Sequence, residues 1–251
     1  MFVGFKLNVD ENLFNDDDIY CYSTGKKTFN MNRKKVKKSL DNFILKDGSL
    51  DGSNIQSDWF PQIDADIFIS HSYKDKDMAI ALSGWLSRNF QLSAFVDSCV
   101  WGYCKNLLEE IDNKYCLTDD GHYDYVKRNY STSHVHMMLC TALAMMMDKA
   151  ECLFFLNTPN LIKASDIIKK TQSPWIYMEI AAAKLIRKTP REIFVSKQNF
   201  NVNYNLDMEH LYEINHQDLE KWRIKCFKYA KELDKFEKLD ELYKIKNIIL
   251  P

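Results

Sequence analysis

The chain has 251 residues, of which 46% are hydrophobic and 27% charged, and this composition is typical of a globular protein. Its formal net charge of −1 argues against a nucleic acid or another polyanion as the partner. It has no stretch of about 18 consecutive apolar residues, so it shows no candidate for a membrane-spanning helix.

The cysteines and the first residues indicate the compartment. There are seven cysteines, an odd number, and no two of them form a CxxC pair. Free thiols of this kind favour a reducing cytoplasm over an oxidising compartment. The first residues, MFVGFKLNVDEN, become acidic before a long apolar stretch develops, which argues against a signal peptide. We therefore expect a cytoplasmic protein that does not associate with a membrane.

Residues 1–64 have mixed patterning and are expected to form an extension of the domain that follows them. In this part, apolar residues at helical spacing predict an amphipathic helix over 29–45. The sequence DGSLDGSN at 47–54 is rich in turn-forming residues and predicts a linker.

From residue 67 onward, short apolar runs alternate with amphipathic helical patterns. Strands are predicted at 67–69, 94–96, 153–156 and 193–195. Helices are predicted at 75–90, 106–115, 132–148 and 174–188. This alternation predicts βαβ units, and hence an α/β fold with a parallel sheet of four or five strands in which 67–69 is a central strand.

Two further expectations concern the ends of this region. Asp75 stands at the start of the helix at 75–90, where its carboxylate is expected to cap the first turn. Residues 205–251 predict one or two helices, which pack on the core through Leu211, Trp222, Phe227 and Leu233.

Side chains able to bind a ligand follow the predicted strands. In an open parallel sheet, ligands bind beyond the carboxyl ends of the strands. The helix at 174–188 begins at the same edge, and two of its residues, four positions apart, share one face. The side chains expected at this edge are therefore Ser70, His71 and Ser72 after the first strand, Asp97, Ser98 and Trp101 after the second, Asn157 and Thr158 after the third, and Trp175 and Glu179 on the helix.

The sequence lacks the motifs of several nucleotide and metal sites. It has seven glycines and contains neither GxGxxG nor GxxxxGK[ST], so glycine-rich cradling of phosphates is not expected. It contains no HExxH. His134 and His136, with Cys140 nearby, suggest a metal, but on a helix the two histidines point about 200° apart. We therefore expect no metal site.

Four segments resemble, in the same order, those of Toll/interleukin-1 receptor (TIR) domains. DIFISHSYKD at 66–75 resembles the first strand and loop of that family, and AFVD at 94–97 resembles its second strand. AECLFFLNTPN at 150–160 is similar to the third strand. SPWIYMEIAAAKL at 173–185 resembles the S-x-W-x-x-x-E helix of the members that cleave NAD.

The resemblance implies a domain organisation. A TIR domain with a flavodoxin-like fold would occupy residues 65–196, between the N-terminal extension at 1–64 and a C-terminal helical extension at 197–251. The segment SCVWGY after the second strand occupies the place of the mobile BB loop of the family and opens a long insertion at about 99–130. Trp101 lies in this segment, so we expect it to support self-association through TIR–TIR contacts.

The resemblance also implies an activity, with NAD+ as substrate and without a separate cofactor. The products would be nicotinamide and either ADP-ribose or a cyclic ADP-ribose-type signal. The features look most like those of stand-alone bacterial members linked to antiphage defence, including Thoeris-type systems, in which a partner protein of the defence system is expected. Glu179 would be the catalytic carboxylate, and the substrate-binding residues would be Ser70, His71, Asp97, Trp101 and Trp175.

Two other functions stay open. The chain could be a non-enzymatic scaffold that acts through TIR–TIR assembly, because that role needs the fold but not the glutamate. It could also be a nucleotide-binding sensor without turnover. Glu179 can serve the dipole of its helix, and Trp175 can fill a groove of the core. The presence of both residues at the family's spacing favours the enzyme.

Overall fold

The computed structural model describes residues 3–9, 18–33, 40–46, 49–158, 174–186, 210–228 and 233–248. In these ranges, five parallel strands form one sheet that is flanked by helices. The strands are β1 (Val3–Asn8), β2 (Ile67–Ser70), β3 (Ala94–Val96), β4 (Cys152–Asn157) and β5 (Tyr212–Ile214). The helices are α1 (Asp18–Arg33), α2 (Gly52–Trp59), α3 (Lys76–Phe90), α4 (Ser98–Ile111), α5 (Tyr125–Lys149), α6 (Pro174–Leu185), α7 (His216–Lys228) and α8 (Lys235–Ile245). No helix in these ranges has the length and apolar character needed to cross a membrane.

The predicted α/β fold class is confirmed, because the sheet is parallel throughout. Its strand order is β3-β2-β4-β1-β5, so β2 lies inside the sheet between β3 and β4. The strands predicted at 67–69, 94–96 and 153–156 coincide with β2, β3 and β4. Their order in space, second-first-third, is that of flavodoxin-like sheets. The strand predicted at 193–195 lies outside the described residues.

The strand beside β4 comes from the first residues of the chain. β1 pairs with β4 along its whole length on one side and with β5 on the other. The segment 1–64, which the sequence predicts as an extension, therefore supplies an interior strand of the sheet. The sequence signal is weak because Lys6 interrupts the apolar residues of this strand. Lys6 is 6% exposed, and its ammonium pairs with Glu213 on β5.

The helix predicted at 29–45 is wrong. In the structure α1 ends at Arg33, residues 41–43 form a 3₁₀ turn, and Ile44 is exposed. Residues 34–39 lie outside the described part of the chain. The position of α1 is set instead by a tertiary contact, which the local spacing of apolar residues does not reveal.

That contact is a close crossing of α1 and α3. A Cβ atom added to Gly25 of α1 would lie 1.9 Å from the carbonyl oxygen of Ile80, and one added to Gly84 of α3 would lie 1.8 Å from that of Cys21. The two backbones therefore touch at a point where neither helix has room for a side chain. This packing attaches the N-terminal part of the chain to the first βα unit of the site.

Two helices have starts that the sequence does not predict, and an aspartate caps each of them. Asp51 accepts a hydrogen bond from a backbone N–H of the first turn and starts α2 inside the linker predicted at 47–54. Asp124 does the same for α5, which begins ahead of the helix predicted at 132–148. Side-chain caps of this kind satisfy backbone donors that the helix leaves unpaired, so they fix its start.

The C-terminal part forms the two predicted helices and, before them, the edge strand β5. Trp222 of α7 is fully buried, stacks on Phe90 with ring centroids 3.8 Å apart, and donates from Nε1 to the carbonyl of Lys238 at 2.6 Å. The predicted core contact of Phe227 is wrong, because this side chain is 82% exposed. Trp222 and Cys226 share the buried face of α7, and Phe227 follows about 100° around the helix.

Gly84→Ala tests the dependence of the fold on the crossing of α1 and α3. The added methyl group would meet the carbonyl oxygen of Cys21, so a helix must move, and we expect the free energy of unfolding to fall by about 1–3 kcal/mol. Gly52→Ala is the matched control, because its nearest neighbour is the flexible end of Met138 at 3.3 Å. Urea unfolding of both variants gives the comparison. Equal unfolding midpoints for the two variants would contradict the tight crossing.

Candidate functional site

Three consecutive residues at the carboxyl end of β2 join this strand to three other parts of the fold. Ser70 bonds to α6, His71 contacts the end of β3, and Ser72 bonds to the turn before α3. Parallel strands end at one edge of the sheet, so residues distant in sequence meet there. The predicted site residues that the structure brings together are Ser70, His71, Asp97 and Glu179.

Glu179 is fully buried, whereas the sequence predicts a glutamate at the rim of the site. Its Oε2 atom accepts a hydrogen bond from the Ser70 hydroxyl at 2.6 Å, a distance typical of bonds to an ionised carboxylate. Its Oε1 atom is also buried, and no N–H or hydroxyl group of the described residues donates to it. An exposed glutamate near a helix N-terminus contributes only about 0.3–1 kcal/mol to stability through the helix dipole, and this figure does not apply to the buried Glu179.

Asp97 ends β3 and caps α4. It is fully buried, and its Oδ1 atom accepts a hydrogen bond from the backbone N–H of Ser98 at 2.6 Å. Its Oδ2 atom accepts a longer bond, 3.4 Å, from the backbone N–H of His71. The aspartate thus links the carboxyl ends of β2 and β3 and lies at the positive end of the α4 dipole.

His71 is fully buried between Asp97 and Ser98. Its Nδ1 atom lies 3.3 Å from Oδ1 of Asp97, and its Nε2 atom lies 2.9 Å from the Ser98 hydroxyl. Burial lowers the pKa of His71 to about 4, so the ring is neutral at neutral pH. The contact with Asp97 is therefore a contact of a neutral ring and not an ion pair.

Asp97 and Glu179 form what we name the carboxyl pair. Burial raises the pKa of Asp97 well above its usual value, and the charge of Glu179 and a hydrogen bond with it raise it further. Burial also raises the pKa of Glu179 to about 7, although the hydrogen bonds with Ser70 and Asp97 lower it. Two adjacent buried carboxyl groups do not both ionise readily, so the pair retains a proton at neutral pH.

Asp75 does not make the predicted helix cap. It stands at the N-terminal end of α3 but accepts no hydrogen bond from the first turn of that helix. Its Oδ2 atom accepts hydrogen bonds from the Ser72 hydroxyl, at 2.6 Å, and from the Thr158 hydroxyl after β4. Asp75 therefore ties the end of β4 to the end of β2 beside the carboxyl pair.

Trp175 is half-buried and lines a cavity whose lining does not include the carboxyl pair. Its ring meets that of His136 on α5 edge to face, with centroids 5.1 Å apart. Together they line a cavity of about 250 Å³ between α4, α5 and α6, whose other lining residues are Cys104, Lys105, Leu108 and Leu139. The ring contact gives His136 a packing role, and the described residues contain no cluster of side chains that could hold a metal ion.

The loop predicted after β3 is wrong. α4 begins at Ser98, directly after β3, and includes most of the helix predicted at 106–115. The helix forms because Asp97 caps it and because apolar residues at helical spacing face the core, namely Cys104, Leu107 and Ile111. Trp101 therefore lies on a helix and not in a BB-type loop. Its side chain is outside the described part of the structure, so its roles in substrate binding and self-association stay predictions.

Comparison of the chain with protein-family models, with curated proteins and with solved structures gives no match. The fold and the geometry of the site are therefore the findings on which a function can be argued.

Ser98 lies where the sequence predicts it, directly after Asp97 at the end of the second predicted strand, and its hydroxyl is 2.9 Å from Nε2 of His71. Two other residues escape prediction from the sequence. Cys104 and Lys105 line the cavity beside Trp175. They give no signal, because they lie between the predicted loop SCVWGY and the helix predicted at 106–115 and are therefore assigned to no helix face.

Glu179→Gln removes a charge from the carboxyl pair and keeps the size of the side chain. The folded-state pKa of Glu179 is about 7 and its ordinary value is 4.5, so the stability that its protonated form contributes is present below pH 4.5 and is lost as the pH rises through 7. The variant lacks this loss. The difference between its melting temperature and that of wild type should therefore increase from about pH 5 to about pH 8. The increase should correspond to at most about 3 kcal/mol of unfolding free energy.

The control for this measurement is Glu151→Gln, which removes a partly buried glutamate at the amino end of β4, next to Tyr243. Its melting temperature should keep a nearly constant offset from wild type over the same pH range. A Glu179→Gln protein whose offset is equally constant would show that Glu179 does not titrate with a raised pKa.

Proposed function

We propose that this protein is a TIR-type enzyme that cleaves the bond between nicotinamide and ribose in NAD+. The observation that carries the proposal is the placement of Glu179, whose carboxylate α6 brings to the carboxyl edge of the parallel sheet beside Ser70 and Asp97. The confirmed parallel fold agrees with the TIR resemblance. The identity of the substrate comes from that resemblance and not from the geometry.

The chemistry of this bond suits a site with one ionised carboxylate. Nicotinamide leaves from a positively charged pyridinium, so both electrons of the C–N bond go to the ring nitrogen and the leaving group is neutral. No acid has to protonate it. The ribose carbon acquires positive charge in the transition state, as in glycoside hydrolysis. A fixed carboxylate close to that carbon stabilises the charge where it develops.

Glu179 would be the catalytic residue in this reaction. The proton of the carboxyl pair resides on Asp97 when Glu179 ionises, because the pKa of Asp97 is raised further by the charge of Glu179. The Ser70 hydroxyl holds Oε2 of the carboxylate. The side chains around the carboxylate are fully buried, namely those of Ser70, His71 and Asp97. They would support the carboxylate, and they could contact NAD+ directly only if the site opens.

Trp175 would hold a planar ring of the substrate. Its indole lines the cavity between α4, α5 and α6, on the helix that also carries Glu179. Stacking on an aromatic face is a common way to hold a nucleotide base. Attack by water on the ribose carbon would give ADP-ribose and release a proton, whereas attack by an atom of the same nucleotide would give a cyclic product.

In the proposed enzyme, the site must open before the substrate can reach the carboxylate, and this opening is the step that can be regulated. Glu179 has no exposed surface, so NAD+ cannot contact it without a change in the surrounding segments. We propose that self-association through TIR–TIR contacts, set off by a trigger, opens the site. The setting would be a cytoplasmic antiphage response in which a partner protein of the defence system receives or delivers the signal.

Glu179→Gln is expected to lower the rate of nicotinamide release by about 100- to 1000-fold, because an electrostatic group that acts in the transition state is lost. The measurement is free nicotinamide after incubation of the purified protein with NAD+, with and without agents that promote assembly. Glu151→Gln, at the opposite edge of the sheet, is the matched control and should keep the wild-type rate. A folded Glu179→Gln protein that cleaves NAD+ as fast as wild type would remove Glu179 from the mechanism.

The rate should also depend on pH. The ionised form of Glu179 is the active one, and its pKa is about 7, so nicotinamide release should fall as the pH drops through 7. The pH dependence of kcat/KM for wild type measures this pKa in the free enzyme. A profile that stays flat from about pH 5 to about pH 8 would contradict it.

The competing proposal is a scaffold that acts through TIR–TIR assembly without turnover. The buried and inaccessible carboxylate is the observation that favours it, because a residue with a purely structural role can remain closed. Under this proposal, Glu179→Gln leaves both assembly and cellular function intact. Light scattering together with a cellular assay of the variant separates the two functions.

A further inference from the structure

The two members of the carboxyl pair have different tasks. We propose that Asp97 is a positioning residue, which holds a proton at neutral pH and donates it in a hydrogen bond to the Glu179 carboxylate. The assignment of the proton to Asp97 does not depend on the proposed function. The effect of this proton on NAD+ cleavage rests on the proposed function.

The two oxygens of Asp97 accept hydrogen bonds of unequal length. Oδ1 accepts the backbone N–H of Ser98 at 2.6 Å, which is short and indicates a strong acceptor. Oδ2 accepts the backbone N–H of His71 at 3.4 Å, beyond the usual range for such bonds. An oxygen that carries a proton accepts more weakly than an ionised one. The geometry therefore assigns the proton to Oδ2.

Glu179 shows the complementary pattern. Oε2 receives the Ser70 hydroxyl at 2.6 Å, as an ionised carboxylate does. Oε1 is buried and receives no N–H or hydroxyl donor from the described residues. A buried charged oxygen without a donor is costly, and a protonated Asp97, which is hydrogen-bonded to Glu179, supplies the donor in this proposal. The raised pKa of Asp97, caused by burial and by the charge of Glu179, agrees with this arrangement.

His71 is the other group that could hold the proton. If it were protonated, its Nδ1 would form an ion pair with Oδ1 of Asp97 at 3.3 Å, and Asp97 would be ionised. Burial is the largest influence on His71 and lowers its pKa to about 4; the charge of Asp75 raises that pKa and the charge of Lys76 lowers it. The net result is a neutral ring, so the proton remains on the carboxyl pair.

The third titratable neighbour is Cys140, which faces Glu179 from α5. Burial raises the pKa of its thiol, and the charge of Glu179 raises it further, so Cys140 is neutral at neutral pH. It supplies neither a proton acceptor nor a second negative charge. With His71 and Cys140 both neutral, protonated Asp97 is the titratable group that stabilises the charge of Glu179, by donating a hydrogen bond to it.

The consequence for the proposed reaction is twofold. A hydrogen bond to Oε1 fixes the orientation of the carboxylate, with Ser70 fixing the other oxygen. A neutral Asp97 also leaves Glu179 as the single negative charge of the pair, so its field acts on the ribose carbon without repulsion from a second carboxylate. Asp97 thus acts through Glu179 and does not need to touch NAD+.

Infrared spectroscopy of the protein at neutral pH tests the location of the proton without an activity assay. A protonated carboxylic acid has a carbonyl stretch separate from the amide band, and isotope-labelled aspartate shifts the part that comes from aspartate. We expect a labelled-aspartate band in wild type that is absent in Asp97→Asn. Asp112→Asn, which removes a buried carboxyl group bonded to Arg128 and Ser131, should keep the band.

The pH profile of nicotinamide release tests the positioning role. Asp97→Asn replaces a neutral donor by another neutral donor, so its midpoint should stay within about one pH unit of wild type. Asp97→Ala removes the donor, so the midpoint should move to higher pH. At a fixed pH below the midpoint, the rate should fall about tenfold for each pH unit by which the midpoint moves. Circular dichroism confirms that each variant is folded, and Asp97→Asn decides the matter if Asp97→Ala does not fold.

Each outcome bears on one claim. The absence of an aspartate band in wild type, or a midpoint of Asp97→Asn shifted by more than about one unit to lower pH, would show that Asp97 is ionised and would overturn the proposal. A wild-type protein that has the band but releases no nicotinamide in any assembly state would overturn the proposed function alone.

Discussion

Two carboxyl groups are buried side by side at the carboxyl edge of the sheet, and several surrounding groups lower the free-energy cost of their burial. Moving a charge out of water is costly unless it is paired or hydrogen-bonded. Here the cost is reduced by a retained proton, by the hydroxyl of Ser70 and by the dipole of α4, whose first N–H bonds to Asp97. Neutral His71 and Cys140 add no competing charge. This arrangement keeps one carboxylate, on Glu179, in a fully buried position.

The topology of the sheet supplies the positions for this arrangement. β2 lies between β3 and β4, so three consecutive residues at its carboxyl end reach α6, β3 and the turn before α3. Asp75 connects the end of β4 to the end of β2, because it accepts a hydrogen bond from the Thr158 hydroxyl. On the far side of β4, β1 completes the interior of the sheet, and the crossing of Gly25 with Gly84 attaches α1 to α3. The N-terminal part of the chain therefore supports the site from both the sheet and a helix.

The sequence predicts the parts of this fold that depend on local pattern. The apolar runs of β2, β3 and β4, and the polar residues directly after them, identify the edge at which Ser70, His71, Asp97 and Glu179 meet. Parallel sheets bury their strands on both faces, so these runs are distinctive in the sequence. The order of the elements then follows from βαβ alternation.

Features that depend on distant contacts are not predictable in this way. β1 is concealed by Lys6, whose charge is compensated by Glu213 from a strand more than two hundred residues later. The helix start at Ser98 is concealed because SCVWGY resembles a loop, while the cap by Asp97 becomes visible when the end of β3 is known. Burial of Glu179 cannot be derived from its place in a helix, because it depends on contacts with residues distant in the sequence, among them Ser70 and Asp97.

The central claim is that Glu179 is a catalytic carboxylate that acts on NAD+ when the site opens. Mass spectrometry of nucleotides extracted from triggered cells, which carry either the wild-type chain or Glu179→Gln, tests it most directly, because the cell supplies the trigger and the partners. The account predicts that NAD+ falls and that nicotinamide and ADP-ribose or a cyclic ADP-ribose-type product accumulate with wild type, while NAD+ is unchanged with the variant. Equal nucleotide levels in the two cultures, with both proteins folded and equally abundant, would contradict it.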